Sequence, residues 1–283
     1  MESILLDDLG ALRIRGADAQ RFLQGQVSAD VTALSVELSL LAGYHNPQGR
    51  AIALLRLILV APDDILAVLP RELSAAVASR LSKYILRANV ALNDVSASLN
   101  IHGLVAEDDS RPAAPNSESA LARISTAPAR WLLISPADAA RPARGDRQRW
   151  RSFDIASGQP QVYAATSEEF IAQMLNLDAL GAIAFNKGCY TGQEVIARAH
   201  YRGRVKRRMQ RFETHTQQEL IPGTAGRLAD GRSFKVVDAV KRADGACEFL
   251  AVTALGVREE AQQDSGTPPI EATALTLPYN LPE

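Results

Sequence analysis

The sequence has few cysteines and no long apolar run. Its 283 residues include 2 cysteines, Cys189 and Cys247, too few for the disulfide framework of a secreted domain. The longest apolar stretch, 51–61, is short and is interrupted by Arg56, so it does not read as a membrane span. The N-terminal residues carry acid where a signal peptide carries base. We therefore expect a cytoplasmic protein that does not contact a membrane.

Motifs of the common nucleotide and metal enzymes are also missing. No Gly-x-Gly-x-x-Gly follows a predicted strand, and the sequence lacks a P-loop, a His-Glu-x-x-His and a Gly-x-Ser-x-Gly motif. The 4 histidines are scattered without metal-ligand spacing. Because an iron–sulfur cluster usually needs four thiolates, two cysteines cannot hold one within a single chain. We predict no metal site.

The composition is that of an ordered globular protein. Lys and Arg number 31 against 32 Asp and Glu, and 47% of the residues are hydrophobic, which excludes extended disorder. The run 11–15 alternates like a half-buried strand and 17–24 is typical of a short helix, while 51–60 and 65–69 predict a hairpin. This mixture is neither a regular βαβ alternation nor all-β, so we predict an α+β fold.

Further along the chain, the pattern predicts helices over 73–86 and 168–175. The stretches 107–115 and 127–149 are rich in Asp, Pro, Ala and Arg, which is typical of exposed connections. After about residue 209, short strand-like pieces are separated by Gly and Asp, which predicts a small β-barrel or sandwich.

The segment 185–194, Phe-Asn-Lys-Gly-Cys-Tyr-Thr-Gly-Gln-Glu, carries the most local information. Thr191 and Glu194 have the spacing of a capping box, with Thr191 as the N-cap. An apolar face follows, and Gly203 stands where a left-handed residue would end a helix. We therefore predict a short helix over 192–202.

Cys189 would then lie just before the positive end of this helix, with Lys187 nearby, and we expect its thiol to ionise more readily than a free cysteine. The alternative is a small buried cysteine in a tight loop, and the sequence leaves both interpretations open. Cys247 lies in an alternating, strand-like run without such neighbours, which favours a structural role.

A cluster of positive charge follows the helix, and no acid occurs between Glu194 and Glu213. It could bind a phosphate backbone, the polyglutamate tail of a folate or an acidic partner. It could equally be a solvated surface. The cluster consists of Arg198, Arg202, Arg204, Lys206, Arg207, Arg208 and Arg211.

The run Lys-Gly-Cys-Tyr-Thr-Gly-Gln-Glu at 187–194 resembles, at every position, the signature of the YgfZ family, the folate-binding relatives of the glycine-cleavage T-protein, an aminomethyltransferase. The segments 22–31, 46–50 and 155–160 are similar to other parts of that family. The resemblance implies a T-protein-like ring of three subdomains around a tetrahydrofolate site. Residues 1–209 would form the folate-binding region from two interleaved α+β subdomains, and 210–283 a small β-barrel.

The resemblance also implies a function and its residues. Members of the family support the assembly or maintenance of iron–sulfur enzymes, including those that modify tRNA, so folate, such client enzymes and tRNA at the Arg198–Arg211 cluster are the expected partners. Cys189 would be the essential, catalytic thiol. The residues expected to bind or surround the folate are Asn46, Arg50, Lys187, Gln193 and Glu194.

Departures from the T-protein pattern argue against glycine cleavage. Ala53 and Leu54 occupy the places of its paired aspartates, and Ala156 replaces its pterin-binding glutamate. Proton transfer needs a titratable group, which these side chains do not have. Asp154 also stands where the family would be expected to carry a basic residue, which alters the expected pocket contacts.

Two other functions are compatible with the sequence. One is a folate-dependent one-carbon transferase that uses Cys189 as its nucleophile. The other is an RNA-binding module in which the arginine cluster meets phosphates while Tyr190, Tyr201 and Phe212 stack on bases.

Overall fold

The computed structural model describes residues 1–108, 110–114, 116–139, 143–203, 205–256 and 268–282. Within these ranges, three antiparallel sheets are joined by short helices. The strands are β1 (Glu2–Leu5), β2 (Leu9–Arg15), β3 (Leu40–His45), β4 (Ala51–Ala61), β5 (Asp64–Pro70), β6 (Ala91–Asp94), β7 (Leu99–Ala106), β8 (Ala120–Thr126), β9 (Ala129–Pro136), β10 (Arg207–Thr214), β11 (Ala225–Arg227), β12 (Ser233–Lys241), β13 (Cys247–Ala254) and β14 (Thr273–Leu275). The helices are α1 (Ala19–Gln24), α2 (Arg71–Ser82), α3 (Arg147–Ala156) and α4 (Gln193–Tyr201), with 3-10 turns at Val31–Ala33, Ala164–Thr166 and Ala172–Leu175.

The first sheet has the strand order β3-β4-β5-β2-β6 and is covered on both faces. Alternation along β5 explains this, because successive side chains of a strand point to opposite faces. Ile65, Ala67 and Leu69 join one hydrophobic core, whereas Leu66 and Val68 join a second core shared with the next sheet. The predicted β4–β5 hairpin is confirmed, and every residue of β5 is buried.

The second sheet, in the order β1-β7-β9-β8, packs against α3. The predicted exposed connection over 127–149 is wrong, because β9 lies within it and nearly all of that strand is buried. The arginine content suggested an exposed segment, but Arg130 is fully buried and is paired with Asp154 of α3. At Gly103 a Cβ would lie 2.4 Å from the Trp150 ring, so only glycine lets α3 approach β7 so closely.

The third sheet has the order β11-β12-β13-β10-β14 and contains the C-terminal part of the chain. Its two edges touch at one isolated parallel bridge, between Leu228 and Ile270. Among the described residues the ladder is otherwise open, so a closed β-barrel is not established. The sheet begins at Arg207, close to the predicted boundary at residue 209.

Two helix predictions need correction. The helix expected over 168–175 is wrong, since only the 3-10 turn at its end forms. Glu168 has φ 64° and donates its N–H to the Ala51 carbonyl at 2.8 Å, while the Ala51 N–H reaches the Phe170 carbonyl at 2.8 Å. The chain therefore pairs with β4 at this point instead of coiling. The helix α2 ends at Ser82, short of the predicted residue 86, and Leu86 has φ 44°. None of the helices in the described ranges has the length and apolarity needed to span a bilayer.

Candidate functional site

The start of α4 differs from the predicted capping box. The N-cap is Gly192, with φ 83° and no side-chain cap, so the prediction of Thr191 and Glu194 as a capping pair is wrong. A Cβ on Gly192 would lie 2.5 Å from the Asn46 carbonyl oxygen and 3.0 Å from the Cα of Gly49. The turn 46–50 therefore packs directly on the start of α4, and this contact determines the N-terminus of the helix.

The end of α4 also differs from the sequence prediction. Gly203 does not have the predicted left-handed conformation, and the helix closes at Arg202 with φ −132°. Glycine is needed at 203 for another reason, because a Cβ there would lie 2.9 Å from the Cα of Ala199.

Asn46 organises the 46–50 turn. Its Oδ1 accepts the backbone N–H groups of Gln48 and Arg50, both at 3.0 Å, and its Nδ2 donates to Glu168 Oε2 at 2.9 Å. The Arg50 guanidinium donates to the Glu169 carbonyl. These bonds hold the 46–50 turn against Glu168 and Glu169, which follow the 3-10 turn at Ala164–Thr166. Asn46 and Arg50, both predicted as site residues, therefore have a structural role.

Lys187 anchors the loop that contains Cys189. Its Nζ donates to the carbonyls of Val27 and Ala29, each at 2.7 Å, and lies 5.2 Å from the centre of the Tyr190 ring. Burial lowers the Lys187 pKa to about 8, although the charge of Asp30 works in the opposite direction. The ammonium group is therefore mostly occupied by protein carbonyls.

The two cysteines have different surroundings. Cys189 is exposed, so its interpretation as a buried loop residue is wrong. Cys247 is half-buried in β13, where burial raises the pKa of its thiol. Gln193 is half-buried and Glu194 is exposed at the start of α4. The structure thus gathers the 46–50 turn, Lys187 and the Cys189 loop at one end of this helix.

A second feature lies where the three sheets and α3 meet, and we call it the central cleft. It holds about 850 Å³ of empty space including its mouth, of which about 100 Å³ is open to the centre of a water molecule, so it is narrow. Its apolar wall includes Leu54, Leu132 and Trp150. Its polar wall consists of Arg56, Arg151, Asp154, Gln159, Gln161, Tyr163 and Asp238, together with Asp8 and Arg147.

An ion pair between Arg130 and Asp154 supports one wall of the central cleft, which Asp154 lines while Arg130 is fully buried. Arg130 Nη1 donates to Asp154 Oδ1 at 2.6 Å, and its guanidinium lies 4.8 Å from the centre of the Trp150 ring. The Asp154 side chain keeps 27% exposure, so it remains accessible from the cleft. Burial raises the pKa of Asp154 above its ordinary value, although the charge of Arg130 opposes this. Burial lowers the pKa of Arg56 to about 10, and its Nη2 reaches Gln159 Oε1 at 3.4 Å.

A second polar network closes the cleft against the third sheet. Arg151 donates to Asp238 of β12, and the Tyr163 hydroxyl donates to the other oxygen of Asp238 at 3.0 Å. Burial raises the pKa of Asp238, against the charge of Arg151, and burial raises that of Tyr163 well above its ordinary value. The buried Nε of Arg151 has no hydrogen-bond partner among the described residues.

The central cleft was missed by sequence reasoning. None of the six predicted site residues, all within the described chain, lines it; Arg50 lines a different cleft, beside the third sheet. One signal was available, because Arg56 interrupts an apolar strand run, and a charge at such a position needs an explanation. The polar residues of α3 and β12 converge only through tertiary packing.

The arginine cluster divides into two groups. Arg208 is buried and pairs with Asp178 at 2.9 Å, and Arg211 pairs with Glu248 at 2.6 Å. Arg207 is half-buried, and Arg204 lies outside the described residues. The exposed members are Arg198, Arg202 and Lys206. The cluster is therefore partly structural, and its solvent-facing part is confined to α4 and the residues after it.

Comparisons with known proteins show which chains this one resembles in sequence and in structure. An uncharacterized protein of Haemophilus influenzae is 30% identical over 99% of both chains. A tRNA-modifying protein YgfZ of Edwardsiella ictaluri is 31% identical over 97% of this chain and 91% of its own. No family model matches. The aminomethyltransferase T structure of Bartonella henselae superposes with TM-score 0.68 over 90% of this chain and 78% of its own, at 12% identity. The T-protein-like α+β fold is thereby confirmed.

Proposed function

The chain belongs to the YgfZ family, and we propose that it is a tetrahydrofolate-binding accessory protein for the assembly or maintenance of iron–sulfur enzymes, including tRNA-modifying ones. Sequence similarity to YgfZ proteins over nearly the whole length supports the family part of this proposal. The observation that carries the folate part is the central cleft, at the junction of all three sheets.

The chemistry of the central cleft suits a reduced pterin. The pterin ring is flat, which matches a narrow cleft walled by Trp150, and one edge presents two adjacent N–H donors beside a carbonyl acceptor. The Asp154 carboxylate would accept from those donors, and the Arg56 guanidinium would donate to the carbonyl. When bound, tetrahydrofolate would supply a one-carbon carrier. Arg130 would hold Asp154 in place and favour its ionised form, against the effect of burial.

We propose that Cys189 is the essential thiol and that it acts on a macromolecular client. Its exposure, and its absence from the lining of the central cleft, support a role toward a partner protein. Asn46 and Lys187 would hold its loop in place, since their polar atoms bond to protein. Arg50 remains a proposed contact for the anionic tail of folate, and Gln193 and Glu194 would shape the start of α4.

The proposed tRNA contact and the proposed cytoplasmic location rest on the relatives' names and on the cysteines. Relatives are named tRNA-modifying proteins, and we propose that tRNA contacts the exposed part of the Arg198–Arg211 cluster. Both described cysteines are free thiols, which suits a cytoplasmic protein.

Isothermal titration with tetrahydrofolate tests the folate proposal. We expect saturable binding by the wild type, weaker binding by Arg56→Met and Gln159→Leu, and unchanged binding by Cys189→Ala. In cells, Cys189→Ala should lose its support of iron–sulfur enzyme activity while still binding folate. An absence of saturable binding by the folded wild type would rule the folate role out.

A folate-dependent one-carbon transferase is the second candidate. Asp154 favours it, because a carboxyl group with a raised pKa in a cleft is a typical proton-transfer group. Incubation with methylene-tetrahydrofolate and an amine or thiol acceptor should then consume the one-carbon unit. If no acceptor supports turnover, the accessory role stands alone.

A further inference from the structure

Two clefts meet beside Arg207, and together they form a groove of which the folate proposal uses only Arg50. One cleft lies between the segment 169–174 and the third sheet, and the other lies beside the end of α4. They share Ile171, Met174 and Arg207 in their linings, so they lie side by side. Their empty volumes, mouths included, are about 1290 Å³ and 560 Å³. We call this combined feature the basic groove.

The basic groove is strongly cationic. Its lining contains five basic side chains, which are Arg50, Lys206, Arg207, Arg227 and Lys235. Glu169 is the one acid among the described residues that line it, and its carboxylate lies 2.9 Å from Lys235. Arg198 on α4 and Arg202 just after it are exposed, each next in sequence to a groove residue, Ala199 or Gly203. A long ligand in the groove would thus meet positive charge along its length.

An aromatic cluster of Phe185, His200 and Tyr201 lies at the end of α4, where His200 and Tyr201 are exposed and the flanking residues Ala199 and Gly203 line the second cleft. The rings of Phe185 and His200 stack with centroids 3.8 Å apart, and Tyr201 meets His200 edge-on at 4.7 Å. Tyr201 is 65% exposed, although large aromatic side chains are usually buried. A base could stack on this cluster, because every base has a π-face and such stacking needs an accessible ring.

From these two features together we infer that the basic groove binds single-stranded RNA, with phosphates on its cations and a base on Tyr201. Acidic peptides would satisfy the charge but would leave the exposed rings without a partner. Duplex RNA would satisfy the phosphate contacts, but its stacked bases hide their faces. The choice of RNA over DNA rests on the proposed function.

Fluorescence anisotropy of a short labelled single-stranded RNA, measured over a range of salt concentrations, tests this inference. Each phosphate contact that is lost reduces the slope of log K against log salt by about 0.7 for single strands. The triple variant K206Q/R227Q/K235Q, whose three residues all line the groove, should therefore lower the slope by about 2. The matched control R21Q/K83Q/R87Q removes the same charge from exposed residues outside the groove and should leave the slope close to that of the wild type.

Stacking is tested separately at Tyr201. Tyr201→Ala should weaken RNA binding by about 5- to 140-fold, whereas Tyr201→Phe keeps the ring and should bind like the wild type. Three results would each overturn the inference. The first is an equal loss of slope in the two triple variants, and the second is equal affinity for duplex and single-stranded RNA. The third is competition by polyglutamate together with no effect of Tyr201→Ala.

Tetrahydrofolate titration on the same preparations separates this inference from the proposed function. Wild-type protein that binds folate but no RNA at low salt would overturn the RNA site and the proposed tRNA contact, and would leave the folate role standing. Wild-type protein that binds RNA but no folate would overturn the folate role alone. The triple variant K206Q/R227Q/K235Q should keep the wild-type folate isotherm, because its three residues lie outside the central cleft.

Discussion

Arg130 and Asp154 form an ion pair across the wall of the central cleft, with Nη1 and Oδ1 2.6 Å apart and the arginine side chain fully buried. A buried guanidinium needs a charged partner, and Asp154 supplies it from α3. This pairing explains why an aspartate is tolerated where a basic residue was expected. It also links the stability of the second sheet to the geometry of the cleft.

Removing Arg130 should destabilise the protein, because Asp154 would lose its charged partner. For Arg130→Met we expect a loss of about 2–4 kcal/mol in the free energy of unfolding. This is less than the loss of a partner usually costs a fully buried ion pair, because Asp154 is partly exposed. Urea denaturation measures this. The double variant Arg130→Met/Asp154→Leu should recover most of the loss, and a double variant as unstable as the single one would contradict the pairing.

Arg56 should show opposite effects on stability and on folate affinity. Burial lowers its pKa to about 10, and its side chain makes a long hydrogen bond to Gln159, so the charge is poorly compensated. Arg56→Met should therefore raise the melting temperature, or leave it unchanged, while folate binding weakens. A variant that melts earlier and keeps full folate affinity would mean that Arg56 is structural.

Lys187 should make stability depend on alkaline pH. Its pKa is about 8 in the folded protein against 10.5 as the ordinary value, so the unfolded chain binds more protons between these limits. Stability then rises with pH across this window. The shift would correspond to about 3 kcal/mol, which partial exposure reduces to about 1–2 kcal/mol. Buried tyrosines and Cys247, whose pKa values are raised, oppose this rise, so the test compares the wild type with Lys187→Met by urea denaturation at pH 8 and pH 10. Between these pH values the wild type should gain about 1–2 kcal/mol relative to the variant. Equal pH dependence in both proteins would contradict the burial of this ammonium.

Gly192 should tolerate alanine worse than Gly181 does. Both have positive φ, 83° and 66°, but a Cβ at Gly181 meets nothing within 4 Å whereas one at Gly192 meets the Asn46 carbonyl at 2.5 Å. Backbone strain alone costs about 1 kcal/mol, so Gly181→Ala gives the reference value. Thermal unfolding should show a larger loss for Gly192→Ala. Equal losses would mean that the 46–50 turn does not press on α4.

Thiol labelling should distinguish the two cysteines in the folded protein. Cys189 is exposed and Cys247 is half-buried with a raised pKa, and the thiolate is the reactive form. Ellman's reagent should therefore titrate one thiol rapidly in the wild type. Cys189→Ser should remove the rapid phase, and a rapid phase that persists in this variant would contradict the exposure of Cys189.

The sequence pattern correctly predicted those helices and strands that depend on neighbouring residues in the chain. The β4–β5 hairpin follows from two apolar runs around a turn, and α4 from a helical apolar face. The caps of α4 were predicted wrongly, because Gly192 and Gly203 are required by contacts with Asn46 and Ala199 that are not visible in a local pattern.

Composition failed where a charge is buried. The segment 127–149 contains arginine, alanine and proline, yet Arg130 lies at the core because Asp154 neutralises it. The central cleft could not be predicted from spacing either, since Arg56 and Asp238 come from different sheets. The motif 187–194 identified the family, but the structure places that motif on an exposed loop and α4, outside the lining of this cleft.

The most direct test of the central claim is to determine a crystal structure of the protein soaked with tetrahydrofolate. We predict density for the pterin ring in the central cleft, beside Trp150, with its amino edge on Asp154 and its carbonyl on Arg56. Density at the Cys189 loop, with the central cleft unchanged, would contradict the account.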